Sequence, residues 1–214
     1  TLPGYFAQPD FADFDGDGDQ DWFILCRMNC FHETSSLFSA NRNNGFILKN
    51  NEGHFIREDI VFFPPGPFGE INKTDSMAVG DVNGDLLPDI VIATGKIEPY
   101  YANRYIQILI NDGEQLVDET DSRIENIRTD FNGGAEGNLY LIDYDQDGDL
   151  DIFDYQNNVR DGINVGLISG EDQDNKFPYW PNGGALFLND GSGNFSYLED
   201  QTNTGKLPES FETW

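Results

Sequence analysis

Short apolar runs separated by polar turns form the basic pattern of this chain. One set of runs is rich in aromatic and β-branched residues, which favours strands over amphipathic helices. These runs are residues 22–25, 90–93 and 152–153. A second set leads into turns of Asn, Asp and Gly, which predicts β-hairpins at residues 47–55, 108–116 and 186–195. Pro, Gly and Asn recur too often along the chain for long helices.

The two sets of runs alternate, so the same unit is repeated three times along the chain. Each unit is a strand, an Asp-rich loop, a strand, a variable connection, a strand, a tight turn and a strand. Four antiparallel strands per repeated unit predict an all-β fold of propeller-type blades. We expect about three blades, and the predicted blades and following linker are residues 9–60, 76–121, 138–200 and 201–214. Three blades cannot close a ring, so an open or partial propeller is expected, with sheet edges that could pair with other chains.

The chain is strongly acidic, with 39 Asp and Glu residues against 12 Lys and Arg residues and a net charge of −27. This balance argues against binding to nucleic acid, because phosphates require a basic surface. It also argues against docking on an anionic membrane surface. No apolar run approaches the roughly 18 residues of a membrane-spanning helix, so the sequence predicts a soluble chain.

The aspartates are concentrated in three loops that share the pattern D-x-[DN]-x-D-x-x-x-D. We call residues 13–21 the first loop, 81–89 the second loop and 143–151 the third loop, and number positions within each from its first Asp. So many carboxylates in nine residues repel one another, and a divalent cation neutralises them best. The alternative for any single loop is a solvated Asp-rich turn.

The spacing suits a hard cation held by side-chain oxygens at positions 1, 3, 5 and 9 and a backbone carbonyl at position 7. Ca²⁺ accepts six to eight such ligands, whereas Mg²⁺ prefers a tighter octahedron. Zn²⁺ is disfavoured because the loops contain neither Cys nor His. An EF-hand is disfavoured too, because position 12 is Ile24, Ile92 or Asp154 rather than Glu. Gly16, Gly18, Gly84 and Gly148 permit the tight turns that wrap an ion.

The stretches at residues 11–19 and 78–85 resemble FG-GAP/VCBS repeats, which form the β-propeller of integrin α-subunits and of many secreted bacterial proteins. The resemblance covers nearly the whole chain and implies about three Ca²⁺ ions. It implies side-chain ligands at Asp13, Asp15, Asp17, Asp21, Asp81, Asn83, Asp85, Asp89, Asp143, Asp145, Asp147 and Asp151. It implies carbonyl ligands at Asp19, Leu87 and Asp149. The second loop departs from the pattern at Asn83 and Leu86, so we expect it to be the weakest site.

The variable connections between the second and third strands are where we expect recognition to occur. They carry four aromatic residues that suit either stacking on sugar rings or packing of the connections onto the blade, namely Tyr100, Tyr101, Tyr179 and Trp180. Cys26 and Cys30 are the two cysteines of the chain, and a disulfide is favoured over free thiols.

No catalytic motif accompanies the loops. The chain has two histidines and lacks a nucleophile elbow, a phosphate loop and a dinucleotide fingerprint. The expected function is therefore that of a secreted or cell-surface, calcium-stabilised module for adhesion or for binding a protein or glycan ligand, rather than an enzyme. The alternatives are a structural subunit of a surface fibre or other assembly, and a part of a polysaccharide lyase.

Overall fold

The computed structural model describes residues 6–26, 45–67, 72–96, 102–125, 135–157 and 185–198. These residues form twelve strands and one short helix, α1 (Thr120–Arg123). No helix within the described ranges is long and apolar enough to cross a membrane.

The strands form three antiparallel sheets of four strands each, with neighbours in chain order. The first sheet contains β1 (Phe6–Ala12), β2 (Asp21–Cys26), β3 (Gly45–Asn51) and β4 (His54–Phe62). The second contains β5 (Asn72–Gly80), β6 (Asp89–Lys96), β7 (Ala102–Asn111) and β8 (Leu116–Asp118). The third contains β9 (Ala135–Ile142), β10 (Asp151–Asn157), β11 (Ala185–Asn189) and β12 (Phe195–Tyr197). No sheet closes on itself among the described strands, so the predicted all-β fold of open, four-stranded blades is confirmed.

The second sheet lies between the other two, which accounts for the continuous apolar sequence of its strand β6. In β6, Ile90 and Ile92 face the first sheet, whereas Val91 and Ala93 face the third. Successive side chains of a strand point to opposite faces, so a strand covered on both sides must be apolar at every position. All four side chains are completely buried.

Two hydrophobic cores join the sheets into a stack. The core between the first and second sheets contains Phe14, Phe23, Leu25, Ile47, Phe63, Met77, Ile90, Ile92, Leu109 and Leu116. The core between the second and third sheets includes Val91, Ile106, Ile108, Leu139, Ile152, Phe187 and Phe195. Burying one such side chain contributes about 1.5–3 kcal/mol, so these cores hold neighbouring sheets together. The first strand of each sheet lies beside the first strand of the next, β1 against β5 and β5 against β9.

This topology places the Asp-rich loops together at one end of the stack. The loops join β1 to β2, β5 to β6 and β9 to β10, so strands flank them, as predicted. The β3–β4, β7–β8 and β11–β12 turns lie at the same end, because alternate strands of a meander run in opposite directions. The second strand of each sheet ends, and its third begins, at the opposite end.

The faces of the stack that point away from the second sheet carry apolar side chains as well. On the first sheet, Ile24, Cys26 and Phe46 form a third buried cluster. Phe11 and Phe55 remain about half exposed on either side of Trp22, with ring-centroid distances to it of 5.7 and 5.6 Å. Cys26 is buried at the end of β2, and Cys30 lies outside the described residues, so their disulfide stays a prediction.

Candidate metal centre

The three Asp-rich loops share one backbone conformation despite their different sequences. Positions 4 and 6 of every loop have a positive φ. Glycine provides it at Gly16, Gly18, Gly84 and Gly148, as predicted. Leu86 at position 6 of the second loop (φ 73°) and Gln146 at position 4 of the third (φ 64°) adopt the same left-handed angle. A side chain there is strained by about 1–2 kcal/mol, so the surrounding contacts of each loop impose the conformation.

The aspartate at position 9 is a buried structural support in each loop. Asp21, Asp89 and Asp151 are at most 1% exposed. One oxygen of each accepts the backbone N–H of position 2, over distances of 2.7, 3.0 and 2.9 Å. The other oxygen accepts a backbone N–H from the end of the third strand, at 2.7, 2.9 and 2.8 Å. Each carboxylate therefore fixes its loop to the sheet, and its oxygens retain lone pairs that could bind a cation.

Burial of these carboxylates has an electrostatic cost. The pKa of Asp89 is raised to about 6, chiefly by desolvation and to a smaller extent by the charges of Asp85 and Asp81, against the lowering effect of the two N–H donors. Desolvation likewise raises the pKa values of Asp21 and Asp151 above their usual range. The ionised loops therefore contain repulsion that a bound cation would relieve.

The first loop contains the best-formed group of potential ligands. One carboxylate oxygen from each of Asp13, Asp15 and Asp21 lies within 4.8 Å of the others. Oδ1 of Asp13 and Oδ1 of Asp15 are buried and accept no hydrogen bond. Buried oxygens without donors are unfavourable, and several converging carboxylates are the ligand set of a hard cation. The residues present therefore fit Ca²⁺.

The remaining acidic residues of the first loop point elsewhere. Asp17 lies outside that group, and its Oδ1 accepts the backbone N–H of Asp19 at 2.8 Å. Asp19 at position 7 directs its carboxylate to the β3–β4 turn, where Oδ2 accepts the backbone N–H of Glu52 at 2.8 Å. Since that side chain is engaged with the turn, the backbone carbonyl remains the predicted ligand at this position.

The second loop satisfies its oxygens internally. Oδ1 of Asp81 accepts the backbone N–H of Gly84 at 2.7 Å, and Oδ2 accepts that of Leu86 at 2.8 Å. Asn83 donates its side-chain amide to Oδ2 of Asp85 at 2.9 Å and accepts the Asp85 N–H at 3.0 Å. Asn83 thus replaces one carboxylate and neutralises part of another through a hydrogen bond.

The third loop has a more open cluster. Carboxylate oxygens of Asp143, Asp145 and Asp147 lie within 4.8 Å of one another, and all three residues are exposed. Asp151 is outside this group and acts as the buried support described above. Asp149 at position 7 lies against the β11–β12 turn, so close that a Cβ on Gly191 would clash with its carboxylate.

Asparagine side chains connect the first and second loops to the following sheet. Asn111, at the end of β7, donates its side-chain amide to the carbonyl of Phe14 in the first loop at 2.8 Å. Asn189, at the end of β11, donates in the same way to Val82 in the second loop at 2.7 Å. Phe14 and Val82 are buried in the two cores, so position 2 anchors the first and second loops in the interface with the next sheet.

The sequence pattern predicts only a role in turns for these asparagines. The signal was present, because an Asn precedes the tight turn of every unit, as Asn50, Asn111 and Asn189. What the sequence could not show is the partner, which lies 97 residues away in one case and 107 in the other.

Four predicted ligand contacts, Tyr100, Tyr101, Tyr179 and Trp180, lie outside the described residues. Their role in binding glycans stays a prediction.

Part of the chain matches a known family. Residues 81–153 fit the model of an FG-GAP-like repeat, from the start of the second loop into β10. The chain is therefore similar to an FG-GAP-like repeat in this segment, and the predicted resemblance is confirmed over these residues. No curated protein sequence matches the chain.

Proposed function

We propose that this protein is an extracellular β-propeller-type module in which Ca²⁺ stabilises the Asp-rich loops and the sheets support adhesion or ligand binding. In this proposal the ions are structural, and the chain does not catalyse a reaction. The observation that carries the proposal is the pair of buried, unpartnered oxygens of Asp13 and Asp15, two residues whose carboxylates form a group with that of Asp21 in the first loop.

Calcium is favoured over other ions by the chemistry of the ligands. The groups in the first and third loops consist only of carboxylates, which suit hard cations. Glycine-rich loops of flexible backbone suit the variable coordination of Ca²⁺ better than the rigid octahedron of Mg²⁺.

The loop positions also support a role in holding the sheets together. The first and second loops touch the following sheet through Asn111 and Asn189, so an ion that orders a loop also orders an inter-sheet contact. Extracellular calcium sites often have a Kd of about 10⁻⁴ M, and at about 1 mM Ca²⁺ such a site stabilises the folded state by about 1.4 kcal/mol. Three loops of this kind would contribute about 4 kcal/mol, a large share of the stability of a typical domain.

Recognition is proposed at the other end of the stack. The connections between second and third strands depart from the end opposite the Asp-rich loops. A scaffold that uses one end for ions leaves these connections free to vary, which is the arrangement expected of an adhesion or ligand-binding module. The acidic net charge of −27 favours a protein or glycan partner over nucleic acid.

Thermal unfolding in EDTA, in Ca²⁺ and in Mg²⁺ tests the proposed role of the ions. We expect Ca²⁺ to raise the melting temperature by several degrees, about 2–4 °C for each kcal/mol in a chain of this size, and Mg²⁺ to raise it less. Identical melting curves in the three buffers would contradict the proposal. Turnover assays on acidic polysaccharides should give no product, and a measurable rate would favour the lyase alternative.

A second candidate function is that of a subunit in a larger assembly. It is favoured by the half-exposed rings of Phe11 and Phe55 on the first sheet and of Tyr140 on the third. Exposed apolar faces on both outer sheets are suited to packing against another sheet. Sedimentation velocity over a range of concentrations tests this candidate: concentration-dependent association that Phe11→Ser and Phe55→Ser reduce would support it, and a constant monomer would not.

A further inference from the structure

Lys49 distinguishes the first loop from the other two. It lies in β3 directly before Asn50, the residue whose backbone N–H donates to Asp21. The equivalent positions in the second and third sheets, each directly before the Asn that donates to the position-9 aspartate, are occupied by Ile110 and Leu188. Of the three described sheets, only the first therefore has a positively charged side chain at the position before this Asn.

Lys49 contacts the potential ligand group itself. Its Nζ lies 3.2 Å from Oδ2 of Asp15, and both side chains are one-quarter exposed. The same ammonium lies 5.0 Å from the ring centroid of Phe14, which is completely buried. Oδ1 of Asp15 is one of the buried oxygens that accept no hydrogen bond. The carboxylate of Asp15, a member of the potential ligand group, thus has one oxygen paired with Lys49 and the other buried without a hydrogen-bond donor.

Building on the proposed binding of a divalent cation, we propose that Lys49 is a tethered counter-ion that sets the cation affinity of the first loop. In the ion-free protein, Lys49 neutralises Asp15 and stabilises the loop. When a divalent cation binds, the same charge repels it and withdraws one oxygen of a ligand. The first loop then fills at a higher Ca²⁺ concentration than it would with an aliphatic residue at this position.

The expected effect follows from the short range of the interaction. A positive charge next to a ligand carboxylate opposes a divalent cation about twice as strongly as it opposes a monovalent one, because the energy scales with the product of the charges. Partial exposure and salt reduce this repulsion. We therefore expect Lys49→Leu to raise the Ca²⁺ affinity of the first loop about five- to tenfold at low salt, and less at high salt.

Calcium titration by calorimetry, after removal of bound ions with EDTA, tests the proposal. The variants are Lys49→Leu, Lys49→Gln as a polar alternative should the leucine variant fold poorly, and Lys49→Arg, which retains the charge. Lys73→Leu is the matched control, because it removes the same charge at the end of β5 remote from the second loop. We expect tighter binding of one ion in the leucine and glutamine variants, and a change below about twofold in the arginine variant and the control.

Two further measurements separate this proposal from the function on which it rests. In the ion-free state, Lys49→Leu should melt at a lower temperature than the wild type, since Asp15 loses its partner. In an Asp15→Asn background, Lys49→Leu should no longer change Ca²⁺ affinity, because the coupled carboxylate is gone. Wild-type binding with an unchanged or weaker affinity in Lys49→Leu and Lys49→Gln would overturn the role of Lys49 alone. No Ca²⁺ binding by the wild type would overturn the proposed function and this inference together.

Discussion

The first and second loops have the same backbone but neutralise their charges in different ways. In the first loop, carboxylates of Asp13 and Asp15 keep buried oxygens without donors. In the second, Asn83 replaces a carboxylate, and backbone N–H groups occupy both oxygens of Asp81. The first loop therefore leaves oxygens that an external cation could bind, whereas the second largely supplies its own donors.

This difference separates two roles of the Asp-rich pattern, namely support of the fold and the proposed binding of ions. The position-9 aspartate and the left-handed backbone are common to both loops, so they belong to the fold. The number of unpartnered carboxylate oxygens differs between the loops, so we assign it to the proposed ion binding. Substitutions at the shared and the differing positions can therefore be used to test the two contributions separately.

The largest effect is expected at the shared position. Asp21→Ala and Asp89→Ala each leave two buried backbone N–H groups without an acceptor, which should cost about 2–4 kcal/mol in the free energy of unfolding. Urea denaturation in EDTA measures this cost without a contribution from ions. Glu114→Ala, in the exposed β7–β8 turn, is the control for loss of one negative charge. A loss below about 1 kcal/mol in either variant would contradict the structural role of that aspartate.

Ion removal should affect the two loops unequally. Addition of EDTA should accelerate amide hydrogen exchange in the first loop about tenfold, the equivalent of about 1.4 kcal/mol at one site, and in the second loop by less than about threefold. Hydrogen-exchange mass spectrometry resolves the two segments. Asp15→Asn should reduce the response of the first loop only. Equal acceleration in both loops would contradict the inference that Asn83 makes the second loop less dependent on a bound ion.

Most of the fold, but only part of the site, followed from the sequence. The strands around Ile90–Ile92 and the tight turns were predictable because local patterns determine them, and the Asp spacing identified the loops. The contacts of Asn111 with Phe14, and of Lys49 with Asp15, join residues far apart in the chain. Local spacing carries no information about such partners, so it could not show that Asp21 supports its loop through two backbone N–H groups.

Restoring the missing carboxylate should make the second loop resemble the first. Asn83→Asp adds a ligand charge and removes the amide donor to Asp85, so we expect a Ca²⁺ affinity about tenfold higher at this loop and a lower stability in EDTA. Calorimetry and thermal unfolding measure the two effects. Asn138→Asp, on an exposed position of β9, controls for added charge. Unchanged affinity would show that ligand charge at position 3 does not limit binding.

The smallest effect concerns backbone strain at position 6. Leu86 is 90% exposed with a φ of 73°, so Leu86→Gly should relieve strain at little loss of contacts and stabilise the protein by about 0.5 kcal/mol. Gly18→Ala at the same position of the first loop should destabilise it by about 1 kcal/mol, since φ is 95° there. Chemical denaturation in EDTA measures whether each variant raises or lowers the free energy of unfolding. Destabilisation by Leu86→Gly would contradict the interpretation of strain.

Direct titration of the EDTA-stripped protein with Ca²⁺ tests the central claim, that the carboxylates of the Asp-rich loops bind a divalent cation. We predict saturable binding with a Kd of about 10⁻⁴ to 10⁻³ M, and loss of one ion per chain in the double variant Asp13→Asn, Asp15→Asn. The contradictory result would be no binding by the wild type at about 10 mM Ca²⁺, well above that range, or the same number of ions bound by the wild type and the double variant.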